Sequence, residues 1–367
     1  MVAMSGGVDS AAAAALLAEQ GHACAGVHLK LFAGADALAP GSRTCCSLAD
    51  AEDARAAAQK LGLPFYVFSF TRQFEDAVIR RFVEGYLKGE TPNPCIDCNK
   101  YIKFSALLER ARTLEYDGIA TGHYVRREFD GRWQLRRGAD ANKDQSYVLY
   151  ALTQGQLAHT HFPLGDMTKA QTRALAETRG LLNAHKRDSQ DICFVPDGDY
   201  GAFIERYLGQ PLKTGAFVDP DGHVLGRHRG AARYTLGQRK GLGLALPRPG
   251  YVCAVRPESN TVVVGDEDLL YARELTAHDI NLIAVDQLAR PTRCKVKIRY
   301  RQPEQWATAE QTGECSLRIL FDEPQRAITP GQAVVLYDGE YVLGGGLIRR
   351  QGSGGRRQEQ GPIGIRD

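Results

Sequence analysis

Two thiols stand three residues apart in Thr91-Pro92-Asn93-Pro94-Cys95-Ile96-Asp97-Cys98-Asn99-Lys100, and a third lies in Asp188-Ser189-Gln190-Asp191-Ile192-Cys193-Phe194. Pro92 and Pro94 hold the first stretch extended, which predicts that Cys95 and Cys98 are presented on a loop rather than buried. A thiolate is a sulfur nucleophile, and a helix N-terminus or a nearby Lys100, Lys103 or Lys186 would lower the thiol pKa. A zinc site would need four ligands. The chain has no second Cys-x-x-Cys and no His-x-x-x-His to complete one. Cys24, Cys253, Cys294 and Cys315 fall in strand-like patterns and are expected to be buried as small hydrophobes. Cys45-Cys46 stands in a Gly/Ser/Arg loop and has no assigned role.

A second constellation is Ser5-Gly6-Gly7-Val8-Asp9-Ser10, between an apolar stub at 1–4 and a helix. Two glycines let backbone approach an anion, and the helix N-terminus adds N–H groups and the positive end of its dipole. Ser5 and Ser10 can donate to phosphate oxygens. Asp9 cannot bind phosphate but can hold a magnesium ion that does. The spacing is neither a Walker loop nor a dinucleotide fingerprint. Without further context the string would also read as a tight strand-to-helix turn.

These residues need a scaffold, and the first half of the chain supplies one. Helices are predicted at 9–20 (closed by Gly21), 48–61, 72–87 and 101–114, with another beginning near Ser146. Strands are predicted at 24–32, 64–70 and 116–121, the last ending in Gly122-His123. The first strand is short or starts upstream of Met1. Alternation of this kind argues for an α/β fold, a doubly wound parallel sheet with its ligand beyond the C-terminal strand ends. From about residue 200 the chain turns β-rich, punctuated by Asp219-Pro220-Asp221-Gly222, Pro247-Arg248-Pro249-Gly250 and Pro330-Gly331. The division expected is a catalytic domain at 1–200, a small β domain at 205–268, a barrel-like domain at 273–350 and a disordered tail at 351–367.

At 367 residues, 43% hydrophobic and 24% charged, the chain reads as a folded protein of two or three domains. It shows no secretory signal, and the Ala-rich run at 11–18 is too short to span a bilayer. A cytoplasmic protein with reduced thiols is expected. A net charge of +3 does not announce a nucleic-acid binder. Local clustering does. Arg227, Arg229, Arg233, Arg239 and Lys240 fall in 226–240 with no acid, and Arg290, Arg293, Lys295, Lys297, Arg299 and Arg301 fall in 290–301 with none. Each stretch carries a tyrosine. Such stretches suit phosphate contact and base stacking, and each alone would also fit a solvated strand face.

Ser5–Ser10 resembles the pyrophosphate loop of the ATP-pyrophosphatase enzymes, which leave an adenylate on a substrate oxygen. The ordered strings SGGVDS, TPNPCxxCN, IATGHY, KDQSYVLY, FPLGD, DSQDICF, YTLGQRKGLG, KIRYRQ and TPGQ extend the likeness over about residues 1–348. Together they resemble the bacterial tRNA-specific 2-thiouridylase family. That resemblance implies ATP with Mg2+ as cofactor, a tRNA substrate, and a cysteine desulfurase or sulfur-relay protein as persulfide donor, with no membrane partner. It implies ATP contacts at Ala3, Met4, Ser5, Gly6, Gly7, Val8, Asp9 and Ser10, at Leu29 against the adenine, and at Gly122. Cys98 would be the nucleophile and Cys193 the persulfide carrier, and the two would end as a disulfide. Asn93, Pro94 and Cys95 would meet the target base. Further tRNA contacts would come from His123, Lys143, Asp144, Gln145, Arg299, Tyr300 and Gln332. From the residues alone, Asp144 and Gln145 equally read as helix caps and His123 as a packing residue.

One departure matters. Cys95 stands where the family pattern has Asp, so proton transfer at that position is in doubt and a third thiol is gained. Cys95, Cys98 and Cys193 together could hold a [4Fe–4S] cluster with one open iron, the alternative route for sulfur. Two other functions compete: a different ATP-pyrophosphatase, amidating a small molecule, and a non-catalytic RNA-binding protein.

Overall fold

The computed structural model describes residues 1–32, 48–181, 183–184, 186 and 192–350. Cys45, Cys46, Asp188–Asp191 and the 351–367 tail lie outside them.

Strand β1 (Val2–Ala3) is only two residues long, yet it sits in the middle of the first sheet. It pairs in parallel with β2 (Gly26–Lys30) on one side and β4 (Ile119–Ala120) on the other, and β3 (Phe65–Ser69) extends the β2 edge. Helix α1 (Val8–Glu19) follows β1 through the glycine loop. Its residues Ala11–Ala15 are all buried, because methyl side chains let the helix lie close to its neighbours. Those neighbours include α2 (Leu48–Lys60).

One long helix runs as α3 (Thr71–Phe74), a π-helical turn (Glu75–Ile79) and α4 (Arg80–Leu87). The cysteine segment corrects the sequence reading. Asn93 Oδ1 accepts from Cys95 N at 3.1 Å, and Pro94 opens α5 (Pro94–Asp97) at its first position, where a missing N–H costs nothing. A π-helical stretch (Cys98–Ala106) and α6 (Leu107–Thr113) continue it. Both thiols therefore ride on a helix that begins seven positions before the predicted one. Ser105 Oγ donates to Lys100 O at 2.6 Å across the wide turn.

After β4 the chain makes a hairpin, β5 (Val125–Phe129) and β6 (Trp133–Arg137), that the sequence reading missed. The segment Ser146–Leu149 is a 3-10 turn. Next come α7 (Gln154–Ala158) and β7 (Thr160–His161), which completes the parallel sheet in the order β3-β2-β1-β4-β7. Helix α8 (Lys169–Thr178) starts with a capping box of Thr168 and Gln171, and α9 (Tyr200–Leu208) closes this half.

The second sheet orders β8 (Gly215–Val218), β9 (Val224–His228), β10 (Tyr251–Arg256) and β11 (Thr261–Gly265) as β10-β11-β8-β9 over a core of Phe217, Tyr234, Val252 and Val262. The last six strands are β12 (Tyr271–Leu282), β13 (Thr292–Lys297), β14 (Gln305–Gly313), β15 (Ser316–Arg326), β16 (Ala333–Asp338) and β17 (Tyr341–Ile348). Pairing of β17 back onto β12 closes them into a barrel. Cys294 is buried in its core, whereas Cys24 and Cys253 are half-buried and Cys315 is exposed in the β14–β15 turn. The uniform burial expected of these four holds for Cys294 alone.

The barrel is fused to the first half rather than tethered to it. Strand β6 pairs with β17 through Arg136 and Tyr341. Arg136 bridges Glu128 and Glu340 at 2.6 Å each, and Arg137 pairs with Glu304. The fully buried Tyr147 donates to Ala333 O at 2.8 Å, and Asn281 Nδ2 donates to Tyr150 O at 2.7 Å. Thr91 N donates to Pro330 O at 2.8 Å, while Gln332 Nε2 donates to Thr91 O at 2.6 Å. Tyr147→Phe removes one buried hydrogen bond of this seam. It is expected to lower the unfolding free energy by about 1–3 kcal/mol in a denaturant titration, with far-UV circular dichroism unchanged.

Candidate active site

The glycine loop is shaped by contacts that point its carbonyls inward. Gly6 has a φ of 76°, and a Cβ there would fall 2.3 Å from Asp50 O. Gly7 differs, since a Cβ there would meet only Ser5 Oγ, at 3.5 Å. Ser10 Oγ donates to Gly7 O at 3.1 Å and accepts from Ser5 N at 3.1 Å. Asn183 Nδ2 reaches both Gly6 O and Gly7 O, at 3.3 and 3.2 Å. The first-turn N–H groups of α1 have no partner inside the helix, and Gly7 leaves space beside them. That cradle fits a polyphosphate. Asn183 escaped the sequence reading because it lies so far along the chain from the loop.

Other expected nucleotide residues divide by role. Met4 and Val8 are buried in the core and offer backbone only, and Leu29 is buried on β2. A Cβ on Gly122 would lie 2.7 Å from Asp9 C and 2.8 Å from Ser10 N, so this glycine lets the segment after β4 run against the loop. The Asp9 carboxylate is already committed. Lys169 Nζ donates to both of its oxygens, at 2.7 and 2.8 Å, and Tyr124 OH to Oδ1 at 2.7 Å. Asp9 thus ties α1 to α8, and the expected magnesium role loses its open carboxylate.

Cys98 opens the π-helical stretch, and Cys193 precedes Phe194. Both are half-buried against the same hydrophobic core, which also includes Leu29. Phe194 is pinned among Phe82, Phe203 and Phe74, with ring centroids at 5.1, 5.1 and 5.9 Å. Cys95 is exposed and lies near Tyr300 of the barrel, whose phenol is pushed up by burial first and then by Asp144 and Cys95. Two of the three lysines expected to activate the thiols pair with carboxylates. Lys100 Nζ pairs with Asp279 at 3.1 Å, and Lys186 Nζ bridges Asp50 and Asp53 at 2.7 and 2.6 Å. Burial pushes the Asp97 carboxyl up to about 6, against the pull of Arg81 and Lys100.

Most expected tRNA residues build the walls. Asn93 caps α5. Asp144 accepts from Gly138 N, Ser146 N and Ser146 Oγ, and Gln145 Oε1 accepts from Tyr124 N. Arg299 donates to Thr329 Oγ1 at 2.6 Å and to Ala327 O at 3.2 Å, and Gln332 holds Thr91. Pro94 is buried and Lys143 half-buried. His123 is buried, 2.7 Å from Thr121 Oγ1 and packed on Phe104 and Phe162. Burial, then Lys103, holds its pKa well below the ordinary value, so it is a neutral packing residue here.

The two basic stretches also differ. In 290–301, Arg293 pairs with Asp322 and Lys295 with Glu304. In 226–240, Arg233 pairs with Asp199 and Glu205, but Arg227, Arg229, Arg239 and Lys240 are exposed and pair with no carboxylate among the described residues. Arg239 and Arg248 rim an open cleft of about 440 Å³ along 241–250.

Residues 1–197 match the family model of the tRNA methyl transferase HUP domain, 201–266 that of the tRNA methyl transferase PRC-barrel domain, and 272–348 that of the aminomethyltransferase β-barrel domain. The chain is 50% identical over 355 residues to the tRNA-specific 2-thiouridylase MnmA of Acetivibrio thermocellus, covering 95% of this chain and 98% of that one. The chain belongs to the tRNA-specific 2-thiouridylase family. Its likeness to the 2-thiouridylase MnmA of Moorella thermoacetica is 53% over 351 residues, 95% of this chain and 98% of the relative. To that of Symbiobacterium thermophilum it is 51% over 357 residues, 95% and 92%. This 2-thiouridylase family member has no helix among its described residues long and apolar enough to cross a membrane.

Two outcomes follow from this geometry. Gly7→Ala is expected to leave the melting temperature nearly unchanged while abolishing ATP-dependent thermal stabilisation. Gly6→Ala is expected to destabilise the apo protein itself, by more than about 1 kcal/mol, because its strain does not depend on ligand. Separately, His123 resists protonation in the fold but not in the unfolded chain. The unfolded state therefore takes up the extra proton, and His123 is expected to cost stability as pH falls below its ordinary value of 6.5. His123→Phe should flatten that part of the unfolding-versus-pH curve.

Proposed function

We propose that this chain is an ATP-dependent tRNA 2-thiouridylase, which adenylates O2 of the wobble uridine and replaces that oxygen with sulfur. The observation that carries the reading is an open anion cradle on α1 and two half-buried thiols, Cys98 and Cys193, packed on one core. Residues 1–200 would activate the base, while 205–268 and 273–350 would hold the RNA. The first-turn amides of α1 bind the ATP phosphates, and Leu29 lies against the adenine. Magnesium, when bound with ATP, would supply positive charge to the phosphates; Asp9 would be the nearest protein carboxylate, and Lys169 engages it in this structure.

Adenylation turns the uridine oxygen into a leaving group. A persulfide on Cys193, loaded by a cysteine desulfurase or sulfur-relay protein, attacks C2 with its outer sulfur, and AMP leaves with the oxygen. The Cys98 thiolate then attacks Cys193 Sγ. The bond to the outer sulfur breaks, that sulfur keeps the electron pair as the thiocarbonyl of 2-thiouridine, and a Cys98–Cys193 disulfide remains. A thiol reductant restores both residues. The exposed cations of 226–240 serve the RNA backbone. The third thiol, Cys95, one helical turn before Cys98, supports a second reading in which Cys95, Cys98 and Cys193 hold a [4Fe–4S] cluster that supplies the sulfur.

Reconstitution with ATP, magnesium, tRNA and a cysteine desulfurase is expected to yield 2-thiouridine by mass spectrometry. Cys98→Ser and Cys193→Ser should each lose it, and full activity in either refutes these roles. Cys95→Asp active without iron supports the persulfide route, whereas activity that tracks iron content supports the cluster.

A further inference from the structure

Lys297 is the last residue of β13, on the barrel side of the seam. Its ammonium is half-buried between two phenol rings, 6.0 Å from the Tyr147 centroid and 5.9 Å from that of Tyr300. Those distances are at the outer limit of useful cation–π attraction. The other two cations of β13 have acids, Asp322 for Arg293 and Glu304 for Lys295. Lys297 has no hydrogen bond or ion pair with any described residue. The two carboxylates whose charge reaches it are spent. Asp144 accepts from Gly138 and Ser146, and Glu304 is shared by Lys295 and Arg137. Burial accordingly pulls the Lys297 ammonium below its ordinary pKa, Asp144 and Glu304 oppose that, and Arg137 adds to it. An ammonium taken partly out of water without an acceptor is costly, so an anion from outside the chain is the natural complement.

The location says which anion. Tyr300, one face of the lysine's cage, donates to Asp144 O at 3.3 Å and is close enough to Cys95 to feel its charge. Lys297 thus lies beside a ring whose other neighbour is Cys95 of the cysteine helix. A base drawn out of an RNA loop toward that helix brings its flanking phosphates with it. We propose that the Lys297 ammonium binds a backbone phosphate of the RNA substrate, next to the nucleotide presented to Cys98. This rests on the RNA-modifying reading above. A phosphate of ATP has the same chemistry, and the test separates the two.

The test measures tRNA affinity over a salt series for the wild type, Lys297→Met and Lys297→Arg, with ATP affinity in parallel and folding checked by thermal melting. Lys297→Met is expected to raise the Kd for tRNA roughly threefold to tenfold and to reduce the slope of log K against log salt by about one, with Lys297→Arg keeping the slope and ATP affinity constant throughout. A folded Met variant with unchanged tRNA affinity and slope overturns the proposal. So does a loss confined to ATP affinity, which would assign the lysine to nucleotide phosphate. If Lys297→Met does not fold, Lys297→Gln is judged by the same readouts. A wild type that binds no tRNA removes the RNA reading and this inference with it, and is distinguishable because it needs no variant.

Discussion

Both main-chain groups of Thr91 are bonded to the barrel, its N–H to Pro330 O and its C=O to Gln332. Sealed backbone groups must find partners, and these partners lie some 240 positions further along the chain, Gln332 being 241 away. Four residues after Thr91 the cysteine helix begins to carry its thiols, so the barrel sets where that helix starts. Tyr147 and Asn281 make the same connection from either side, and the β6–β17 pairing makes the two halves share a sheet. The cysteine helix is thus anchored across a seam between the two halves.

Charge around the nucleotide loop is balanced by internal pairs. Lys169 holds Asp9, and Lys186 holds Asp50 and Asp53. An anion at this loop would meet the unpaired N–H groups at the start of α1 rather than a Walker lysine. Lys100 leans toward Asp279, and both cysteines pack against the apolar core.

What the sequence made legible was local. The glycine loop, its helix, the alternation that follows and the β-rich second half are written in spacing and turn residues, and they stand where spacing placed them. Asn93 and Pro94 are a helix-start signal, but the proline pair was read as extending the chain, which put the start of the cysteine helix too late. The hairpin at 125–137 has little amphipathic contrast, because its arginines pair with Glu128 of the hairpin itself and with Glu340 and Glu304 far along the chain. Asn183 on the loop, Lys169 on Asp9 and the acids that pair Arg293 and Lys295 of β13 are all pairings that periodicity does not encode. Residues named for their resemblance, such as Asp144, Gln145 and Gln332, carry hydrogen bonds inside the fold; of the two read alternatively as helix caps, Asp144 accepts from Ser146 N, whereas Gln145 accepts from Tyr124 N.

Strand β1 precedes its sheet partners in the chain, held between β2 and a strand at 119–120, and the cysteine helix is anchored by residues 330–332. A ribosome-bound nascent chain therefore exposes its thiols long before their docking surface exists. A message cut short upstream of that turn yields a product with a nucleotide loop but no finished sulfur centre. The strands that close the barrel thus also complete the anchoring of the cysteine helix, so a chain ending before them lacks both.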